Sequence, residues 1–163
     1  MANSKLRRKA IVTSTETQNS STDTAVSTVR ILVADDHEVM RLGMRNLLEA
    51  QPHWEVCAEA SNGKEAVVMT DECHPDVVIL DITMPTMNGL DAADHIAAGH
   101  PQIPIILFSL HLAGDMMNTL RCPTIKGAVS KSEAGRDLVD AVQTVLDGGT
   151  FFRGKKSLPS AAN

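Results

Sequence analysis

Five side chains in this sequence stand where chemistry is most often done in an open α/β protein, directly after an apolar run. Asp35 and Asp36 follow Val29–Ala34, Asp81 follows Val77-Val78-Ile79-Leu80, Ser109 follows Ile103–Phe108, and Lys131 follows Gly127–Ser130. Runs of this length and composition are strand-like, and parallel strands in one sheet would bring their carboxyl ends to a common edge, where such sheets bind ligands. Three carboxylates, a hydroxyl and an ammonium would then converge from distant parts of the chain. Adjacent carboxylates repel one another, and a hard divalent cation among them removes the repulsion. An oxygen-rich shell that keeps some of its waters suits Mg²⁺, and Mn²⁺ fits as well. A lysine beside that cation gives a fixed positive charge for a phosphoryl oxygen, and a small hydroxyl can donate to another. The set resembles a phosphoryl-transfer site with an aspartate as covalent acceptor.

Each residue also has a simpler reading. An aspartate pair at a helix start can cap free N–H groups and favour the helix dipole, which is the rival account of Asp35-Asp36. Lys131 alone would be a surface charge and Ser109 an ordinary strand-end residue. His37 and His111 border the same loops and are assigned no metal role. Met40, Met44, Met116 and Met117 lie at helical spacing, as core or interface filler does.

The elements that must position these groups alternate along the chain. After the first strand, Met40, Met44, Leu47 and Leu48 recur at i, i+4, i+7 and i+8, a one-face helical stripe ending near Gln51-Pro52. Trp54–Glu59 alternates like an edge strand. Asn62 can cap a helix running to Cys73, and the run from Val77 is apolar on both faces, as a central strand is. A loop with Pro85 and Gly89 leads to a third helix. Leu112–Leu120 predicts a fourth, ended by Pro123, and Leu138, Ala141, Val142 and Val145 stripe a last helix that stops at Gly148-Gly149. The pattern predicts a doubly wound α/β sandwich, (βα)5, with a five-stranded parallel sheet.

The chain has 163 residues, 43% hydrophobic and 21% charged, enough for one domain with a sizeable core and some tail. Residues 29–152 carry 8 Lys/Arg against 18 Asp/Glu, whereas the tails carry 7 against 2. So acidic a domain repels polyphosphate backbones, which argues against direct nucleic-acid binding. With three Phe, one Trp and no Tyr, an aromatic stacking platform is also lacking. Residues 13–28 hold ten Ser/Thr, so residues 1–28 are expected to be a disordered spacer. Residues 153–163 read as a basic tail or a truncated linker. Cys57, Cys73 and Cys122 are odd in number, widely spaced and without a CxxC pair, which argues against a disulfide framework or a zinc site. The reducing compartment this suggests, with no leader-like apolar run and no membrane-length one, gives a cytoplasmic, membrane-free expectation.

In RILVADDHEVMRLGMRNLL, DVVILDITMPTMNGLD, IPIILFS and GAVSKS, residues 30–152 resemble the receiver domain of two-component response regulators over about three-quarters of the chain. DDHEVMRLG, DITMPTMNG and the ending DGGTFF are most similar to the NarL/FixJ subgroup. The resemblance implies a flavodoxin-like fold with strand order 2-1-3-4-5. It implies Asp81 as phosphoacceptor, and Mg²⁺ held by Asp36, Asp81 and the main-chain carbonyl of Thr83, with Asp35 acting through a water. Ser109 matches the switch hydroxyl and Lys131 the lysine that pairs with the phosphoryl group. The implied partners are a histidine kinase or phosphotransfer protein and a downstream protein met through the face of the predicted 112–120 helix, with homodimerisation open. The implied activity is self-catalysed phosphoryl transfer and slow autodephosphorylation, not that of a conventional enzyme. Ser-His-Asp order, HExxH and a glycine-rich phosphate loop are all missing from the sequence.

Two features depart from the family pattern. Ala128 stands where the subgroup's GYxxK wording has an aromatic, and Arg121–Ile125 replaces the usual small residues. The chain also stops at Asn163, where a NarL/FixJ transcription factor would continue into a helix-turn-helix domain of about 60 residues. Two alternatives follow: a phosphorylation-independent interaction module, and a truncated transcriptional regulator.

Overall fold

The computed structural model describes residues 26–112 and 122–153. Strands β1 (Val29–Ala34), β2 (Trp54–Ala60), β3 (Val77–Asp81), β4 (Ile105–Ser109), β5 (Ile125–Ser130) and β6 (Phe151–Phe152) form one parallel sheet of order 2-1-3-4-5-6. The described helices are α1 (Glu38–Glu49), α2 (Gly63–Cys73), α3 (Gly89–Gly99) and α4 (Ala134–Leu146), the last preceded by a 3-10 turn, Lys131–Glu133. The helix expected over Leu112–Leu120 lies outside the described residues apart from Leu112. So do the expected N-terminal tail up to residue 25 and residues 154–163.

Alternation along the strands splits the core into two layers. Ile31, Val33, Ile79, Phe108 and Val129 face α1 and α4, meeting Met44, Leu48, Leu138 and Val142. Leu32, Ala34, Leu80, Leu107 and Ala128 face the opposite side, against Ala66 of α2 and Ala92, Ala93 and Ile96 of α3. Every residue of β3 and β4 is buried, because both strands are central and covered on two faces. A fully buried Leu or Ile contributes about 1.5–3 kcal/mol, so these two strands are the most strongly fixed part of the sheet, and their ends carry Asp81 and Ser109. Helix starts are fixed locally. Asn62 Oδ1 accepts the Glu65 N–H (2.9 Å), while Glu65 reaches back to the Ser61 N–H (2.8 Å). The Ser61 N–H holds the exposed Glu65 carboxyl below its ordinary range.

The sheet has six strands where the sequence pattern predicts five. Beyond Gly148-Gly149 the chain turns back along β5, pairing Gly127 with Phe151 and Ala128 with Phe152. A Cβ on Gly127 would lie 3.1 Å from the Phe151 carbonyl oxygen, so the bare glycine admits the added strand. Two residues show no alternation, and a strand of that length has no periodic signal. Arg153, expected to begin a free tail, is paired with Asp137 of α4 at 2.8 Å.

β1 and β2 pair with one irregularity. Ile31 opposes Val56 and Leu32 opposes Ala58, leaving Cys57 as an extra residue in a β-bulge. The bulge resets the alternation, so Val56 packs on the α1 side while Ala58 and Ala60 pack on the α2 side.

Candidate functional site

The carboxyl ends of β1, β3 and β5 meet around one buried ammonium group. Lys131 Nζ is 2.7 Å from Asp35 Oδ2 and 2.8 Å from Asp81 Oδ2, with a side chain only 6% exposed. Asp35 is fully buried and Asp81 nearly so. The ammonium also lies 5.7 Å from the centre of the Phe108 ring, so its surroundings are apolar on one side. Burial alone would favour neutral lysine, but its hydrogen bonds to Asp35 and Asp81 outweigh that effect and raise its pKa. Asp81 is also raised, first by burial and further by the Asp35 charge, against the opposing pull of Lys131. Three carboxylates, of Asp35, Asp36 and Asp81, thus gather around a site whose buried ammonium is that of Lys131.

The chain geometry around Asp81 is tight. The Thr83 N–H donates to Asp81 Oδ1 at 3.2 Å, and the Gly89 N–H donates to the Ile82 carbonyl at 2.9 Å. A Cβ on Gly89 would run into the Asp81 carbonyl oxygen, so α3 can begin this close to β3 only with glycine there.

Asp36 is more exposed and lies at the mouth. Its Oδ1 is 2.9 Å from His37 Nδ1, and the same ring nitrogen is 3.1 Å from Asp35 Oδ1. One donor atom from each of Asp35, Asp36, His37 and Asp81 falls within a span of 4.8 Å, close enough to share a cation. His37 thus belongs to the cluster although the sequence reading assigned it no role there. The available signal was its place in the Asp-Asp-His tripeptide, next to the paired carboxylates. The N-cap of α1 is His37, and its side chain makes no capping hydrogen bond. Asp35 Oδ1 does accept the His37 N–H (2.8 Å), and its other oxygen turns inward to Lys131. Helix capping therefore does not account for the aspartate pair.

Ser109, at the end of β4, is buried, and its Oγ accepts the His111 N–H at 3.3 Å. Ala128, two residues before the end of β5, is buried between Leu107 on β4 and Phe152 on β6. Asp35, Asp36, Asp81 and Lys131 are thus brought into one pocket. Ser109 stands at the end of the neighbouring strand with its hydroxyl turned to the following loop.

This arrangement on this sheet has known counterparts. The family model for the response regulator receiver domain matches residues 31–143. The chain belongs to that family. As a receiver of two-component systems it is related to the LuxR/NarL-type regulators. It is 28% identical over 127 residues to the transcriptional regulatory protein DegU of Brevibacillus brevis, covering 78% of this chain and 54% of DegU. Over 81 residues it is 46% identical to the protein-glutamate methylesterase/protein-glutamine glutaminase of Pyrococcus abyssi, covering 50% of this chain and 22% of that protein. Among solved structures, a LuxR-family two-component response regulator from Aurantimonas sp. SI85-9A1 superimposes with a TM-score of 0.72 at 34% identity, covering 77% of this receiver and 89% of that chain. The receiver thus spans about half of DegU and about a fifth of the methylesterase. Among the described residues, no helix is long and apolar enough to cross a membrane.

Proposed function

We propose that this receiver takes a phosphoryl group from a histidine kinase or phosphotransfer protein onto Asp81. The observation that carries the reading is the Lys131 ammonium, which lies between Asp81 and Asp35 in a buried pocket where carboxylates outnumber it. In the reaction, an Asp81 carboxylate oxygen attacks phosphorus, the bond from phosphorus to the donor imidazole nitrogen breaks, and the imidazole leaves with the bonding pair. Lys131 would move from the carboxylate to a phosphoryl oxygen, keeping its positive charge beside the transferred group. Ser109 supplies a hydroxyl to a second oxygen once its O–H turns from the His111 carbonyl toward the phosphoryl group. Water later attacks the phosphorus, the bond to the Asp81 oxygen breaks, and inorganic phosphate leaves the free carboxylate behind. Catalysis here is positioning and charge neutralisation.

The donor set fits a hard divalent cation, since three carboxylates lie close together with one opposing lysine. Asp36, Asp81 and the main-chain carbonyl of Thr83 would hold Mg²⁺ or Mn²⁺, with Asp35 acting through a water, and the ion would supply charge neutralisation for the phosphoryl oxygens.

Incubation of the chain with acetyl phosphate and Mg²⁺, read by intact mass, tests the proposal. One added phosphoryl group on the native chain and none on Asp81→Asn is expected. No labelling of the native chain, or equal labelling of the variant, would overturn it.

A second reading, of a module that binds its partner without phosphorylation, is favoured by Ala128. Its methyl group is buried in the core layer facing α2 and α3 where the subgroup has an aromatic ring, so it offers no ring to move with Ser109. That reading requires partner binding to be unchanged in Asp81→Asn.

A further inference from the structure

Cys57 and Cys73 are sixteen positions apart in sequence, yet their Sγ atoms are 3.1 Å apart. Cys57 is the extra residue of the β2 bulge, and Cys73 is the last residue of α2. Bulges commonly re-aim a side chain, and this one meets the end of the helix that covers the strand. Both thiols are free and partly accessible. Closing the gap to a covalent S–S bond of about 2.05 Å requires the sulfurs to approach by only about 1 Å. The third thiol is occupied elsewhere, with Cys122 Sγ against Thr124 Oγ1 at 3.0 Å and the Ala93 carbonyl at 3.8 Å.

We propose that Cys57 and Cys73 are a redox-active pair that a hydroperoxide converts into a reversible intramolecular disulfide. The Cys73 thiolate attacks one peroxide oxygen and the O–O bond breaks. Cys73 becomes a sulfenic acid, and the leaving oxygen departs as water or alcohol with a proton. The Cys57 sulfur then attacks the Cys73 sulfur and displaces hydroxide, which takes the Cys57 proton and leaves as water. Two thiols and one hydroperoxide thus give one disulfide, one water, and a second water or an alcohol.

The surroundings assign the order. Cys57 is the donor to Cys73, and burial, reinforced by the neighbouring Cys73, pushes its thiol up to about 12, so it keeps its proton and acts second. The Arg30 guanidinium is held beside the pair, with Nε donating to the Cys73 carbonyl at 3.1 Å and its outer nitrogen paired with Glu55. It anchors the end of α2 against β2 and adds positive charge near the two sulfurs. The product would staple α2 to the edge strand, away from Lys131 and β5. The proposal is therefore independent of phosphorylation at Asp81.

The test treats the full chain with hydrogen peroxide in the absence of reductant, blocks the remaining thiols with a maleimide, and maps the digested peptides. The expected product is a Cys57–Cys73 linked peptide lacking the mass of two hydrogens, with Cys122 still blocked, and with both thiols regained on adding dithiothreitol. In Cys57→Ser, dimedone should trap a sulfenic acid on Cys73, and no linked peptide should form. A link involving Cys122, a link only between chains, or over-oxidation without any linked peptide would overturn the pairing. Dimedone capture at Cys57 in Cys73→Ser, without capture at Cys73 in Cys57→Ser, would overturn the order. The linked peptide of the native chain needs no variant to fold.

Discussion

Lys131 and Asp81 are fifty residues apart in sequence, and the Lys131 ammonium bridges from Asp81 to Asp35 with hydrogen-bond distances to both. One cation thus serves two buried carboxylates, so the three cannot be altered independently. Removing the lysine leaves two anions facing each other in an apolar setting. Removing one anion leaves the lysine with the other.

Lys131→Met is therefore expected to destabilise the fold by about 3–5 kcal/mol, the usual cost of leaving a buried charge without its partner. Urea unfolding should show this as a lower midpoint. Added Mg²⁺ should recover more stability in the variant than in the native chain, because it replaces the lost positive charge. A native-like midpoint in the variant would mean that solvent reaches the pocket and screens it.

Asp81→Asn has the opposite sign in the absence of metal. The raised pKa of Asp81 means that its ionised form is held at a cost near neutral pH, a cost that burial and the Asp35 charge set. The neutral isostere removes that cost while Lys131 keeps Asp35. The variant should melt at a higher temperature than the native chain without Mg²⁺ and gain less when Mg²⁺ is added, both read by calorimetry.

Asp137 gives the pH dependence. Its carboxyl is held below the ordinary range by its Arg136 hydrogen bond, with the Arg153 charge adding to it. A depressed folded pKa contributes stability that is fully present above the unfolded value and is lost as pH falls through the folded one. Asp137→Asn should thus be less stable than the native chain at neutral pH, with the difference shrinking below about pH 4. Unfolding midpoints across that range check the sign. A difference that grows in acid would exclude this ion pair as its source.

Gly89→Ala and Gly43→Ala separate two roles of glycine. At Gly89 the new methyl meets the Asp81 carbonyl, so a loss of about 1–3 kcal/mol is expected, together with slower labelling of Asp81 by acetyl phosphate. At Gly43, inside α1, nothing lies within 4 Å of the added carbon, and alanine should gain about 0.5–1 kcal/mol from helix propensity alone. Chemical denaturation of both variants tests the contrast.

The strands and helices that hold the pocket were legible because they are long enough to repeat. Val77–Leu80 is apolar throughout, and its position just before Asp81 predicted a central strand ending at the pocket. β6 was not legible, because two phenylalanines cannot show a period and their partner site is a glycine far back in the sequence. His37 was missed for a different reason. Its relation to the acidic cluster depends on the loop bending its ring back over the two preceding aspartates, and residue type alone does not report that bend. The thiol pair was hidden by the bulge, since simple alternation along β2 takes no account of an inserted residue.

A β2 strand one residue shorter could pair Val56 with Ile31 and Ala58 with Leu32 without any irregularity. Position 57 is thus surplus to the sheet's register. The residues on either side are bound by the core they fill, whereas the chemical identity of residue 57 can change without disturbing which neighbours face which layer. At that point of β2 the fold has a place for a reactive group that the strand's register does not need.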